Sequence, residues 1–328
     1  MVTPSTNARR AGPATGSRSF LSRLRDGDEV ARLLTLLFAA AVVLITVAIV
    51  YQLWADSALS RHKFGWKFFF SSVWDPVFDQ FGALPFIYGT LVTSAVGLCL
   101  AVPLGLGAAI FLSELAPPKV SDTLTFFIDL LAAVPSVIYG LLGVFLLVPL
   151  MRENIQPFLK AALGFLPLFS GPAYGLGFLT AGIVLAVMIL PFIISVSREV
   201  LLSVPREQRE AALALGSTRW ESAWKVVVPF ARTGIFGSIF LALARALGET
   251  MAVTMVIGNT PKIAASLFAP GYSIAAVIAN EFTEATGDLY LHALIELGLV
   301  LFLLTFILNG LARLLILLTE RRGAEVRA

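Results

Sequence analysis

Two charged residues stand four positions apart in an otherwise apolar stretch, Arg245 and Glu249 within LARALGETMAV (Leu243 to Val253). On a continuous helix this spacing places both side chains on one face. A charge at membrane depth costs about 2.5 kcal/mol or more, so such residues turn toward a bundle interior or water. Arginine offers a planar fork of donors that matches the oxygens of phosphate. Glu249 would hold Arg245 in place when no anion is bound, and neutralising either residue is expected to impair anion passage. Thr250 and Thr254, one turn apart, add hydroxyls to the same path or bond back to their own helix. The competing reading is an ion pair that only fixes helix packing.

Other chemistry finds little support. There is no Ser-His-Asp or metalloprotease signature and no GxxxxGK[ST] loop, so the chain is not expected to bind ATP itself. No catalytic residue and no cofactor is assigned. His62 and His292 are far apart in sequence, and no metal site is expected. The single cysteine, Cys99, cannot form an internal disulfide and reads as a small buried apolar residue. Glu281, Glu284 and Asp288 form an acidic loop that would repel phosphate. It reads as a solvated face or a docking surface.

The elements that must position these residues are membrane helices. Of 328 residues, 58% are hydrophobic and 14% charged, against about 45–50% and 25% in a typical soluble chain. Such surplus apolar surface needs lipid, and a spanning helix needs about 20 mostly apolar residues. Six runs qualify: Val30 to Trp54, Tyr88 to Leu112, Leu124 to Leu150, Leu176 to Val196, Gly234 to Ile257 and Leu289 to Leu318. The first is too long for a signal-peptide core and reads as a retained helix. The expected fold class is an all-α integral membrane protein with about six transmembrane helices.

Basic residues give an orientation. Arg9, Arg10, Arg18, Arg23 and Arg25 lead the chain, and Arg198, Arg206, Arg209, Arg219, Lys225 and Arg232 cluster between the fourth and fifth runs. Arg321, Arg322 and Arg327 end it. Positive loops stay in the cytoplasm, so both termini and the Arg198–Arg232 segment are expected inside. Arg61, Lys63 and Lys67, in an expected outer loop, conflict with this and are outvoted. The organisation expected is a basic, disordered cytoplasmic segment at 1–29, a membrane domain at 30–320 with its core at 86–318, and a cytoplasmic tail at 321–328. Pro103, Gly105, Gly107, Pro135, Gly140 and Pro191 are expected to interrupt their helices, as in a bundle packed around a pathway.

The segment 204–230 is the most informative polar stretch. Pro205 suits a first helical turn. Arg206, Glu207, Arg209 and Glu210 make one side polar, and Ala211, Ala212, Leu213 and Leu215 make the other apolar. Gly216 suits a left-handed helix stop. A second helix starts near Ser217 or Thr218 with Trp220 and Trp224 on one face, and Pro229 closes the stretch before the fifth run. A helix–turn–helix joined at both ends to spans can transmit a push from a soluble partner.

Glu210, Ala211, Ala212, Gly216, Val226, Val228 and Pro229 resemble the EAA loop of ATP-binding-cassette import permeases: Glu-Ala-Ala, three residues, Gly, nine residues, Ile, one residue, Leu-Pro. Valine replaces Ile and Leu here. The resemblance implies that the loop is a cytoplasmic coupling helix in a type I importer permease fold. Glu210 and Ala211–Ala212 would then contact a cleft on the ATPase. AVPLGLGAAIFLSELAPP (Ala101 to Pro118), AAVPSVIYGLLG (Ala132 to Gly143) and LARALGETMAV look like the phosphate-specific permeases. The likeness runs from about Phe81 to the end. With the ending LYLHALIELGLVLFLLTFILN and the long loop after the third run, it is closer to the PstC-type subunit than to its PstA sister. It implies phosphate as substrate, with Arg245 and Glu249 in its path. The implied partners are a PstA-like second permease, a PstB-like ATPase dimer that uses the ATP, an outer PstS-like phosphate-binding protein and the lipid bilayer. No nucleic acid is implied. The alternatives are the sister subunit, a permease for another oxyanion, and an ATP-independent anion channel or carrier.

Overall fold

The computed structural model describes residues 28–325, which are helical apart from loops and one isolated bridge, Asp75 to Gln80. The expected disordered segment lies mostly outside the described residues. Residues 1–52 and 53–328 form two compact units. The described part of the first belongs to α1 (Asp28–Asp56), which carries no charged residue between Arg32 and Asp56.

In the second unit, α2 (Ala58–Phe64) and α3 (Lys67–Phe70) lead to α4, which runs from Leu84 to Leu115 through a closing π turn. Next come α5 (Pro118–Ala132), α6 (Ser136–Leu163), α7 (Phe178–Leu202) and α8 (Arg206–Ala214). The chain ends with α9 (Arg219–Leu247), α10 (Met251–Ile257), α11 (Ile274–Glu281) and α12 (Asp288–Glu325). Among the described residues six helices are long and apolar enough to cross a membrane: α1, α4, α6, α7, α9 and α12. The last runs on to Glu325, so the expected tail begins as helix.

Two expected spans are drawn differently. The third run does not cross as one helix, because α5 stops at Ala132 and Pro135 takes an extended conformation before α6 begins. Proline lacks the amide a continuing helix needs and disfavours helix in the residue before it. The span is therefore Ser136–Leu163, and α5 is a separate helix held on α7 by polar contacts. Asp129 accepts from Ser195 at 3.1 Å, and the Arg198 guanidinium donates to Ser121 at 3.3 Å. The fifth run is also broken: α9 begins earlier, at Arg219, and ends at Leu247. Residues 248–250 then separate it from α10.

Proline elsewhere does not interrupt. Pro103 and Pro191 lie inside the continuous helices α4 and α7. Gly105 serves close packing, since a methyl group there would come within 2.8 Å of the Ile193 side chain on α7. Between membrane helices such small-residue contacts do the work that water exclusion does in a soluble core. The most buried helix is α7, whose Leu185, Ile189 and Ile193 pack in one cluster with Tyr139, Ala242, Ala246, Ala252 and Val256. Cys99, expected to be buried, is exposed on α4.

Two of the anomalous basic residues after α1, Arg61 and Lys63, are engaged locally. The Arg61 guanidinium lies 3.6 Å from the Trp54 ring centroid and donates to the Trp54 carbonyl at 2.5 Å, while Lys63 donates to the Asp79 carbonyl. His292 bonds the Asp56 carbonyl. Glu281 is no solvated charge: it accepts from the Trp74 indole at 2.8 Å and the Tyr290 hydroxyl at 2.6 Å.

Candidate functional site

The segment after α7 folds largely as its sequence dictates. Pro205, extended, precedes the first turn of α8, and Glu207 in that turn favours the positive helix end. Gly216 has φ +89°, the left-handed conformation that a side chain disfavours. There Gly216 donates to the Leu213 carbonyl at 3.0 Å and Ser217 to the Ala212 carbonyl at 3.2 Å, closing the helix end. Thr218 then caps α9 reciprocally. Its hydroxyl accepts from the Glu221 amide at 3.3 Å, and the Glu221 carboxylate accepts from the Thr218 amide at 3.0 Å.

Two details differ from expectation. Ala212 is the one buried residue of α8, while Glu210, Ala211, Leu213 and the following Leu215 are exposed. Ala211, Leu213 and Leu215 of the apolar side thus face outward, while Ala212 is turned inward. Pro229 does not separate the short helix from the span. A π turn at Ala223–Val227 shifts the hydrogen-bond ladder, and the helix runs through Pro229 to Leu247. Trp220 and Trp224 stack at 5.9 Å with 12° between their planes, both exposed. Beneath them Ala223 and Val227 pack with Ile110, Leu112, Leu201 and Val204, so the element rests on the adjoining ends of α4 and α7.

Sequence reasoning missed the bond that fixes α8. Arg209, expected only as part of the polar side, forms a bidentate ion pair with Glu114 at 2.8 to 3.2 Å. Periodicity cannot expose a pair separated by 95 positions.

Arg245 and Glu249 do not share a helix face. Arg245 lies in the last turn of α9, where a cation favours the helix end, and Glu249 lies in the break beyond it. No ion pair joins them among the described residues. The Glu249 carboxylate instead accepts from the Ala252 amide at 3.2 Å in the first turn of α10. Arg245 is exposed and makes no hydrogen bond or ion pair among the described residues, with the buried Tyr139 phenol in electrostatic reach. Tyr139 itself donates to the Leu131 carbonyl at 2.7 Å. Thr250 and Thr254 both bond backbone carbonyls, of Gly248 at 3.3 Å and Thr250 at 2.6 Å. Both breaks meet here, because α6 and α10 touch closely. A methyl group at Gly140 would lie 3.1 Å from the Ala252 Cα.

The family model described as "Binding-protein-dependent transport system inner membrane component" matches residues 101–320. A phosphate transport system permease protein PstC of Mesorhizobium japonicum is 47% identical over 87% of this chain and 88% of its own length. The PstC of Pasteurella multocida is 49% identical over 88% of this chain and 91% of its own. A crystal structure of a bacterial alginate ATP-binding-cassette transporter, 14% identical, superposes over 88% of this chain and 96% of that one with a TM-score of 0.56, a likeness of fold alone. The chain therefore belongs to the family of binding-protein-dependent transport system inner membrane components, in its PstC group.

Proposed function

We propose that this chain is a permease subunit of an ATP-driven phosphate importer, lining the phosphate path and coupling it to an ATPase through residues 204–230. The observation that carries the coupling role is the outward-facing Glu210, Ala211 and Leu213 of α8, held between two membrane helices. The high identity to PstC relatives supports phosphate as the substrate.

Arg245 is the cation for the anion. It stands exposed at the end of α9, a position tolerable in a membrane only beside water, an anion or another subunit. Glu249 shapes the break, and Thr250 lines it. A second, PstA-like permease would complete the path. A PstB-like ATPase dimer would hydrolyse ATP, and a PstS-like protein would deliver phosphate. In this arrangement the termini and α8 are cytoplasmic. ATP binding would press on α8, and the bundle would alternate between outward and inward openings.

The test is uptake of labelled phosphate into proteoliposomes holding both permeases and the ATPase, with the binding protein outside. Uptake that requires ATP and resists competing sulfate and molybdate is expected. ATP-independent uptake points to a channel or carrier, and equal competition by another oxyanion removes phosphate as the specific substrate.

A further inference from the structure

The contact between Arg209 and Glu114 has a form that a surface ion pair lacks. Arg209 Nε donates to both carboxylate oxygens of Glu114, at 3.0 and 3.2 Å, and Nη2 donates to Oε1 at 2.8 Å. The same guanidinium reaches two backbone carbonyls: Nη1 donates to Val204 at 2.5 Å and Nη2 to Leu201 at 2.7 Å. The side chains are 19% and 9% exposed, so the pair is sheltered from solvent screening. Leu201 lies at the end of α7, where carbonyls lose their intrahelical partners, and Val204 follows just beyond. Glu114 sits in the π turn that closes α4. One side chain of α8 therefore grips the ends of both helices at the centre of the bundle.

Besides this grip, α8 packs against the π turn Ala223–Val227 of α9. Its one buried side chain is Ala212, too small to anchor a helix by packing. Its covalent links are a proline step at Pro205 and a left-handed glycine at Gly216. A force on α8 thus reaches α4 directly through the guanidinium, and indirectly by way of Ala223 and Val227 of α9, which pack on Ile110 and Leu112. Lysine could not substitute fully, because it is a point charge without the fork that meets a carboxylate and two carbonyls together.

We propose that Arg209 and Glu114 form the joint that transmits movement of α8 to α4 and α7, acting as positioning residues for transport. This rests on the reading of α8 as the ATPase-coupling helix. Without the joint α8 still presents Glu210, Ala211 and Leu213 to the ATPase, but less of its movement is passed to the bundle.

The experiment uses the complete reconstituted complex and reads three quantities: ATPase retained, ATP hydrolysed and labelled phosphate imported. In Arg209→Gln and in Glu114→Gln the ATPase should be retained while phosphate imported per ATP falls about fivefold or more, the low end of coupling between distant sites. The double variant should be no worse than either single one, because the two residues act as a unit. Arg209→Lys should give an intermediate ratio. A merely structural role would lower hydrolysis and import together and leave the ratio unchanged, which overturns the proposal. Loss of the ATPase from the complex in all the variants also overturns it, since the pair would then belong to the docking surface. Failure of the coupling reading itself shows elsewhere, as undiminished ATPase retention and import in Glu210→Lys.

Discussion

The Glu249 carboxylate accepts a hydrogen bond from the Ala252 amide at 3.2 Å and leaves Arg245 to its surroundings. The two residues thus have separate tasks, one ordering the start of α10 and the other presenting positive charge. Glu249→Gln keeps an acceptor and should leave complex abundance and phosphate uptake near wild type. Glu249→Ala leaves the amide without its partner, at about 1 kcal/mol. Its expected signature is lower abundance with nearly unchanged uptake per complex. A deep loss of uptake per complex in Glu249→Gln would restore the paired-charge reading.

Gly216 should tolerate substitution poorly. Its φ of +89° costs a side-chain-bearing residue about 1–2 kcal/mol. Proline adds the loss of the amide bond to the Leu213 carbonyl. Gly216→Pro should leave the protein in the membrane but reduce both ATPase co-purification and ATP-driven uptake, with Gly216→Ala between it and wild type. Normal values in Gly216→Pro contradict the role of this turn.

Glu281 joins Trp74 and Tyr290, so removing it orphans two donors in a half-buried site. Glu281→Ala should cost about 1–3 kcal/mol, read as a lower Tm of the purified protein, while import per folded complex holds. An unchanged Tm means that the bonds add nothing to the fold.

The orientation is tested with single cysteines in a Cys99→Ala background. Positions Ser170 and Gly287, both exposed between spans, should be labelled from outside by an impermeant reagent, and Ser217 only after the membrane is opened. Labelling of Ser217 in sealed cells reverses the topology.

Spans were legible where apolar runs ended in polar loops, as for α1, α4, α7 and α12. The two misdrawn spans share one cause. Hydropathy counts apolar residues through Val134–Pro135 and through Gly248–Thr250, although the backbone breaks at both places. The helix–glycine–helix of 204–222 was legible because each signal is local: a proline start at Pro205, a glycine stop at Gly216 and a second start near Ser217 or Thr218. The Arg209–Glu114 pair was not, since it exists only once α4 and α7 lie side by side. Spacing alone also misled at Arg245 and Glu249, because four positions mean one face only on an unbroken helix.

The role proposed for Arg245 in an ATP-driven phosphate path is open to measurement. Its most direct test is labelled phosphate uptake per assembled complex in proteoliposomes, wild type beside Arg245→Gln, with complex abundance measured in the same vesicles. Wild type should import only with ATP. Arg245→Gln should assemble normally and import about tenfold less or lower still, as expected for losing a charged hydrogen-bond donor at the anion. Uptake per complex at the wild-type level in Arg245→Gln would remove Arg245 from the phosphate path.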